Sequence, residues 1–479
     1  MPEEEPPGMR TYFFEGPLSF SSMISQIFLS AGWHYAPQEQ AGLTVSVRGE
    51  ERTWQVSVLS RDGSVSQVFQ TEGTRGDVGE AVMDRIYALS GLSLGKWGYL
   101  VGMRPVKALF PFFAEGEGWE AKAREFLSRK KVRSDTADLL IQTASRERPY
   151  IPALAPDSGS AAFYVHIPFC PSHCIYCSFP AAVVAPGEDL SEFTGILTED
   201  IKQAGQMMAR KGIRSQSIYI GGGTPTVLPP LQLDRVLQCI KEFVPAGEHC
   251  EWTVEAGRPD TLNADVFSVL KKAGVSRISV NPQTMQDRIL KMIGRCHRAG
   301  DVFSAFDKAR TWGFRQINMD FIFGLPSQTE KDGAENLSAV CKLRPENVTI
   351  HTLAVKRGSP FFGKEGYFDM PPEETVDRML TKMHQGLLEA GYHPYYLYRQ
   401  KYMRDDFANI GYSLDGQDCI YNIQMMGERQ NVVGAGPGSV SKWADSRFRL
   451  RKMYMPRDPR IYGKRLAENM EKRSEMFKI

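Results

Sequence analysis

The sequence predicts an α/β protein: six βα units carrying a parallel sheet, preceded by an α+β domain and followed by an α+β extension. Three observations lead there. From Ala161 onward, short β-rich runs alternate with helical stretches six times, the pattern of a parallel sheet with helices outside. Before about Pro152 the rhythm is one of apolar–polar alternation broken by turn residues, as in antiparallel strands. Finally, the unusual motifs of the middle region fall at the ends of the six strands, where parallel sheets bind ligands.

The N-terminal domain is expected over residues 1–152. Its helix SFSSMISQIFLSAG (19–32) has apolar residues at helical spacing. The stretch 43–73 alternates and is interrupted by RGEER and RDGS, which predicts an antiparallel meander. A second helix is expected over GDVGEAVMDRIYALSGL (76–92). After KWGYLVGMRPVKALF, a charged helical stretch (119–148) forms a linker ending near RPYIPALAPDSGS.

The central domain is expected over 153–370. Its strands are FYVHIPF, SIYIGGG, EWTVEAG, RISVNPQ, INMDFIFGLP and NVTIHTLAV. Helical stretches such as LPPLQLDRVLQCIKEFV, NADVFSVLKKAG and RAGDVFSAFDKARTWG separate them. The extension, 371–479, opens with the helix EETVDRMLTKMHQGLLEAG. It continues through the aromatic run YHPYYLYRQKYM and VVGAGPGSVSKW to a charged helical tail.

Composition excludes several classes. The net charge of +2 gives no electrostatic reason for a nucleic acid or an anionic membrane as partner. The start MPEEEPPGMR is acidic and Pro-rich, unlike an export signal. The run 158–187 lacks Lys, Arg, Asp and Glu, but Pro168, Pro171, Pro180 and Pro186 argue against a membrane span. A cytoplasmic location is expected. Eight cysteines, three of them in one tight group, suit a metal site in a reducing compartment better than a disulfide framework.

That group is Cys170, Cys174 and Cys177 in YVHIPFCPSHCIYCSFP (164–180). Three thiolates can hold an iron–sulfur cube with one iron left open to chelate a substrate. Tetrahedral zinc would want a fourth ligand, which His166 or His173 could supply. A disulfide would leave one thiol over. The spacing, and the position directly after a strand, favour the open cluster over zinc or unliganded thiols.

Four other strand ends carry chemistry. In GGGTPT (221–226), glycines let the backbone approach a ligand and expose N–H groups to it; no Lys-Ser/Thr pair follows, so this is not a phosphate P-loop. Glu255 ends the third strand and could bind a ribose hydroxyl or an ammonium group, or else form a solvated pair with Arg258. Gln283 ends the fourth strand, with Arg295 in the helical region beyond it. Asp320 stands inside the apolar fifth strand, where an acid must be paired or used.

CxxxCxxC after a first strand is the signature of the radical S-adenosylmethionine (SAM) enzymes, which this chain resembles. YVHIPFC, YIGGGTPT, SRISVNPQTM, IGRCHRAGD and INMDFIFGLPSQT are similar to the oxygen-independent coproporphyrinogen III oxidase branch over about 161–355, and more weakly through GAGPGSVSK. GYLVGMRP, VEAGRPDTL and YLYRQKYM look most like its HemZ (coproporphyrinogen dehydrogenase) subgroup. The resemblance implies a partial (βα)6 radical SAM barrel and a [4Fe-4S] cluster on Cys170, Cys174 and Cys177. It implies one or two SAM molecules, with contacts from Tyr164, Tyr176, Gly222, Gly223, Thr224, Glu255, Gln283, Arg295 and Asp320. Pro259 comes four residues after Glu255, where most relatives have Pro three residues on.

The implied reaction is radical decarboxylation of coproporphyrinogen III propionates to vinyl groups, with electrons from a donor such as a flavodoxin or ferredoxin. A tetracarboxylate substrate should meet cations, for which Arg104, Lys107, Lys356, Arg357, Arg399, Lys401 and Arg404 are candidates. The aromatics of 392–402 could stack on a flat macrocycle or form sheet core. Phe179 stands where decarboxylating members commonly carry a fourth cysteine, and is closer to relatives that traffic haem. The alternatives are therefore haem transfer on the same scaffold, with His166, His351 or Cys419 as axial ligand, or a radical methylase or other radical enzyme with a different substrate.

Overall fold

The computed structural model describes residues 10–31, 33–50, 52–152, 159–179, 182–185, 187–356, 358–400 and 407–477. The chain divides into two compact units, Met1–Pro105 with Glu120–Leu140, and Val106–Trp119 with Ile141–Ile479.

The first unit contains β1 (Arg10–Glu15), α1 (Leu18–Ser30), β2 (Trp33–Tyr35), β3 (Leu43–Glu50), β4 (Thr53–Ser60), β5 (Ser66–Glu72) and α2 (Arg75–Ser90). Its sheet has the order β2-β1-β3-β4-β5. The alternating stretch forms the antiparallel β3-β4-β5 meander. Sequence reading missed β1 and β2, which add in parallel through short segments without alternation. Val45, Val47, Val56 and Val58, two apart on their strands, meet Ile24 and Phe28 of α1 and Val78, Val82 and Ile86 of α2, four apart on their helices. Asp77 accepts the Thr74 N–H at 2.6 Å to cap α2, and Gly91 ends the helix at φ +67°. Helices α3 (Trp119–Arg129) and α4 (Ser134–Glu147) follow.

The second unit is built on β6 (Ser160–Ile167), the short pair β7 (Phe169–Cys170) and β8 (Ala182–Val183), α5 (Ser191–Arg210), β9 (Arg214–Gly222), α6 (Pro230–Phe243), β10 (Ala246–Val254) and α7 (Ala264–Ala273). It continues through β11 (Arg277–Ser279), α8 (Asp287–Met292), α9 (Ala299–Thr311), β12 (Gln316–Phe323), α10 (Glu330–Leu343) and β13 (Asn347–Thr352). Strands β6, β9, β10, β11, β12 and β13 lie side by side in chain order, all parallel. They are the six expected βα strands. Apolar runs such as Ala161–Ile167 are buried along their length, as a parallel sheet covered on both faces requires.

The rest of the chain comprises α11 (Glu373–Glu389), β14 (His393–Tyr398), β15 (Asn409–Ser413), α12 (Ile420–Gly427), β16 (Asn431–Ala435), β17 (Val440–Ala444), β18 (Leu450–Tyr454), α13 (Pro459–Lys464) and α14 (Leu466–Met476). These strands extend the same sheet at both edges, β15 antiparallel to β13 and β16 parallel to β6. Tyr392, Tyr395 and Tyr396 are buried, and the Tyr396 ring lies over Gly411 with no room for a Cβ there. The aromatic run is therefore sheet core, with Tyr398 partly exposed at its end.

The expected strand RISVNPQ is shorter than its β-rich composition suggested. Only Arg277–Ser279 is strand; Pro282 has no N–H for the ladder, and Gln283 turns to φ +66°. No helix among the described residues is long and apolar enough to cross a membrane.

Candidate functional site

The three cysteines lie on the loop leaving β6, at the C-terminal end of the parallel strands. Cys170 belongs to β7, and its carbonyl accepts the Val184 N–H at 3.1 Å. Cys174 and Cys177 are joined by a turn in which the Cys177 N–H meets the Cys174 carbonyl, also at 3.1 Å. The loop is pinned from outside: Ile175 N–H donates to Ile293 O, Ser172 Oγ to Gly294 O, and Phe361 N–H to Ile175 O. Gly294, at φ +79°, passes so near the His173 carbonyl that an added Cβ would sit 3.0 Å from it.

Burial pushes the Cys170 thiol up, and it pushes Cys177 up to about 11; the charges of Cys170 and Cys174 add to the effect at Cys177. Bare thiolates are thus disfavoured. A cationic centre shared among them removes that cost, as thiolate metal sites require. Among the described residues, no three His, Cys, Asp or Glu side chains gather as a single-ion cage would need. His173 is engaged with the loop backbone, its ring nitrogen 3.1 Å from the Cys177 carbonyl. Three thiols on one loop are the donor set that a thiolate-held cluster needs.

The GGGTPT turn is used differently from the expectation. Gly222 N–H donates to Glu255 Oε2 at 3.1 Å, Gly223 N–H to Ile167 O, and Thr224 N–H to Phe169 O, both at 2.7 Å. The Gly223 and Thr224 N–H groups tie the cysteine-loop stem to the end of β9, and the Gly222 N–H is taken by Glu255, so none of the three stands free for a ligand. The close approach that needs glycine is real, but its object is protein: a Cβ on Gly222 would strike the His166 ring, and one on Gly223 the Phe169 carbonyl. The Thr224 hydroxyl lies 3.3 Å from Cys170 Sγ.

Glu255 does not pair with Arg258. It accepts the Tyr219 hydroxyl at 2.7 Å and the Gly222 N–H. Burial, with the Asp320 charge adding to it, lifts its carboxyl to about 7 against the bond from Tyr219. Tyr219 stacks on Tyr421 with ring centres 4.2 Å apart, and Tyr421 on Tyr164 at 5.7 Å. Arg258 is buried and turns to the cysteine loop, donating from Nη2 to Ser172 Oγ at 2.6 Å and from Nη1 to Cys174 Sγ at 3.4 Å.

Asp320 is paired, as its position in an apolar strand demands. Asn281 donates to Oδ2 and Asn318 to Oδ1, both at 2.7 Å, and His351 Nε2 stands 3.9 Å from Oδ2. Burial alone would raise its carboxyl; His351, Asn318 and Thr349 outweigh that and hold it below the usual range. Gln283 is bracketed by backbone bonds to the same strand, its N–H to Asp320 O and its carbonyl from Ile322 N–H. Arg295 sits in the loop between α8 and α9, outside either helix. It donates from Nη2 to Asn281 O at 2.9 Å, and its charge lowers the thiols of Cys170 and Cys177. Tyr176 packs against the apolar cluster that includes Ile289, Leu290 and Ile293.

The peripheral candidates divide. Lys107 is committed to Glu428 at 3.0 Å. Lys356 stands 5.2 Å from the centre of the Phe179 ring, which is 61% exposed. Arg357, Lys401 and Arg404 lie outside the described residues, whereas Arg104 and Arg399 lie within them. Cys419 is enclosed, donating to Glu251 Oε1 at 3.2 Å, and burial drives the His166 imidazole down to about 4. Sequence reading missed Arg258, Asn281, Tyr219 and Tyr421 as part of this constellation. Arg258 carried a usable signal, a cation between Gly and Pro at a strand end; Tyr421 carried none, being brought in from the distant α12.

A loop of three thiols at the mouth of a six-stranded parallel half-barrel defines the radical SAM class. A radical SAM superfamily model matches residues 164–339. The chain is 35% identical over 373 residues to the oxygen-independent coproporphyrinogen-III oxidase-like protein HemZ of Bacillus subtilis, covering 77% of this chain and 74% of that protein. It is 27% identical over 299 residues to the heme chaperone HemW of Escherichia coli, covering 62% and 74%. The solved structure of coproporphyrinogen III oxidase (HemN) from Escherichia coli shares the fold, with a TM-score of 0.52, 20% identity and coverage of 68% and 73%. The chain belongs to the radical SAM superfamily, in its oxygen-independent coproporphyrinogen-III oxidase-like family. That superfamily works with a [4Fe-4S] cluster and SAM.

Proposed function

We propose that this protein oxidatively decarboxylates coproporphyrinogen III propionates to vinyl groups, without oxygen, in cytoplasmic porphyrin biosynthesis. The carrying observation is the match over 77% of the chain to a coproporphyrinogen-III oxidase-like protein. In this reading Cys170, Cys174 and Cys177 hold the cluster. Tyr164, Tyr176, Gly222, Gly223, Thr224, Glu255, Gln283, Arg295 and Asp320 form the SAM side of the mouth. The bound cluster and SAM supply one-electron hydrogen abstraction, with electrons from a flavodoxin- or ferredoxin-type donor. The chain's own part is orientation and exclusion of water. The ionised Glu255 accepts from a hydroxyl or ammonium group, and Asp320 keeps its charge through His351, Asn318 and Thr349.

The test is an anaerobic assay of reconstituted protein with SAM, reductant and coproporphyrinogen III, read by mass spectrometry. Deoxyadenosine with decarboxylated tetrapyrrole is expected; deoxyadenosine with intact tetrapyrrole would overturn the substrate assignment. A second reading, haem transfer, is favoured by the exposed Phe179 at the fourth-cysteine position and by the HemW relatives. Haemin titration without a Soret change would remove it.

Glu255 makes the first step pH-dependent. Its carboxyl ionises near 7 instead of its ordinary 4.5. SAM affinity is expected to rise from pH 6 to pH 8 as the carboxylate forms, and Glu255→Gln is expected to bind more weakly and lose the rise. Stability moves the opposite way. Between pH 4.5 and about pH 7 the folded protein keeps a proton that the unfolded chain has released, so stability falls as pH rises through that window. Thermal melts of Glu255→Gln should lose that contribution to the slope.

A further inference from the structure

We infer that Arg258 is a positioning residue for the cluster that sets its reduction potential, through an N–H···S bond to Cys174 and a buried positive charge beside the thiolates. The inference rests on the cysteine loop holding an iron–sulfur cluster; neither the family resemblance nor the similarity to relatives assigns Arg258 any role.

The geometry is specific. Arg258 is 3% exposed, so its charge is poorly screened by water. Its three nitrogens have three different partners. Nη1 points at Cys174 Sγ at 3.4 Å, Nη2 donates to Ser172 Oγ at 2.6 Å, and Nε faces Asp260 Oδ1 at 3.3 Å. Ser172 in turn donates to Gly294 O at 2.9 Å, so the guanidinium is held from the cysteine loop and from its own loop at once. Asp260 is more exposed than Arg258, with 25% of its side chain accessible against 3%, so water weakens its neutralising effect more than it weakens the effect of Arg258 on the sulfur. The charges of Cys174 and Cys170 both act to stabilise the cationic form of Arg258, which places it within reach of two of the three ligands.

The electrostatics follow. Three thiolates on a cube whose core charge is two positive leave one net negative charge, and one-electron reduction by a low-potential donor makes it two. A fixed cation favours the more negative state, and a hydrogen bond to a ligand sulfur withdraws charge in the same sense. Arg258 therefore raises the potential and eases electron entry. Lysine retains the charge but cannot reproduce the planar fork that serves Ser172 and Cys174 together.

The experiment uses the full chain with a reconstituted cluster. Wild type, Arg258→Lys and Arg258→Gln are compared by iron and sulfide content and by redox titration followed by electron paramagnetic resonance, with dithionite as reductant. The Gln variant is expected to hold its cluster at a more negative potential, with Lys between it and wild type. Full cluster content with an unchanged potential in Arg258→Gln would overturn the inference and leave the cluster assignment standing. Failure of the wild-type protein to assemble any cluster would instead overturn the assignment on which it rests. If the Gln variant loses its cluster, wild type grown on 15N-arginine decides. The reduced cluster should show hyperfine coupling to an arginine nitrogen that Arg258→Lys removes; no such coupling, or coupling that survives in Arg258→Lys, overturns the role.

Discussion

Replacing any one of Cys170, Cys174 or Cys177 with alanine is expected to abolish cluster assembly and SAM cleavage together while leaving the fold intact. The two effects separate on structural grounds. The cysteine loop is held by backbone bonds at Ile175, at Cys170 and between Cys177 and Cys174, none of which uses a thiol. Cys170 and Cys177 are only partly buried, so truncating either removes little apolar contact. Cys174 is buried and its loss also deprives Arg258 of a partner, so this variant should melt lowest, by about 1–3 kcal/mol for the unpaired donor. Cluster retention is another matter. With three ligands there is no spare, and the thiols at Cys239, Cys250, Cys296, Cys341 and Cys419 lie on other elements. Iron and sulfide analysis, visible absorbance and deoxyadenosine release read the outcome. Cys296→Ala serves as the control, since Cys296 is exposed outside the loop. A Cys170→Ala protein with full iron content and SAM cleavage would refute the assignment of the loop.

Much of this arrangement was legible in the sequence because it depends on local pattern. The six parallel strands are short apolar runs separated by helices long enough for crossovers, and chain order alone makes them neighbours. Cys170, Glu255 and Asp320 stand at or within strands, so a strand count brings them to one end of the sheet. What was not legible depends on side-chain direction or on distant segments. Nothing in GGGTPT says whether its N–H groups meet a ligand or the carbonyls of Ile167 and Phe169. Arg258 and Glu255 are three residues apart and of opposite charge, which suggests a pair. Yet Tyr219 and the Gly222 N–H hold one of them, and Ser172 and Cys174 the other. Tyr421 reaches the stack from a helix some 200 positions after Tyr219, through a sheet edge that the six-unit pattern did not include. The strand β11 stopped early because Pro282 takes a donor from the ladder, a feature visible in the letters but outweighed by the β-rich run before it.

Asp200→Ala is expected to cost about 3–5 kcal/mol, the cost of leaving a buried partner charge uncompensated. Asp200 and Arg473 are 0% and 1% exposed and their charged atoms meet at 2.7 Å. The Asp200 carboxylate also accepts the Tyr462 hydroxyl at 2.6 Å and the Gly436 N–H at 2.9 Å, while Arg473 Nη1 donates to Gly434 O at 2.8 Å. One cluster of buried groups thus ties α5, α13 and α14 to the glycine segment around β16. Removing Asp200 strands three donors, whereas Arg473→Met leaves the carboxylate two of its donors and should cost less. For a unit of this size the thermal midpoint should fall by roughly 5 °C. The effect should reach the site because the Gly436 backbone, at φ +93°, lies against the His166 carbonyl with no room for a Cβ, directly behind the strand that launches the cysteine loop. Cluster half-life in Asp200→Ala should therefore shorten on warming, at temperatures where Arg473→Met still holds iron. The double variant Asp200→Leu with Arg473→Met should regain part of the lost stability, since it removes both charges at once. Equal midpoints for wild type and Asp200→Ala would mean that the sheet edge is held by apolar packing alone. The contact of Trp443 with Phe477, edge-on at 5.2 Å, would then be the anchor of the last helix.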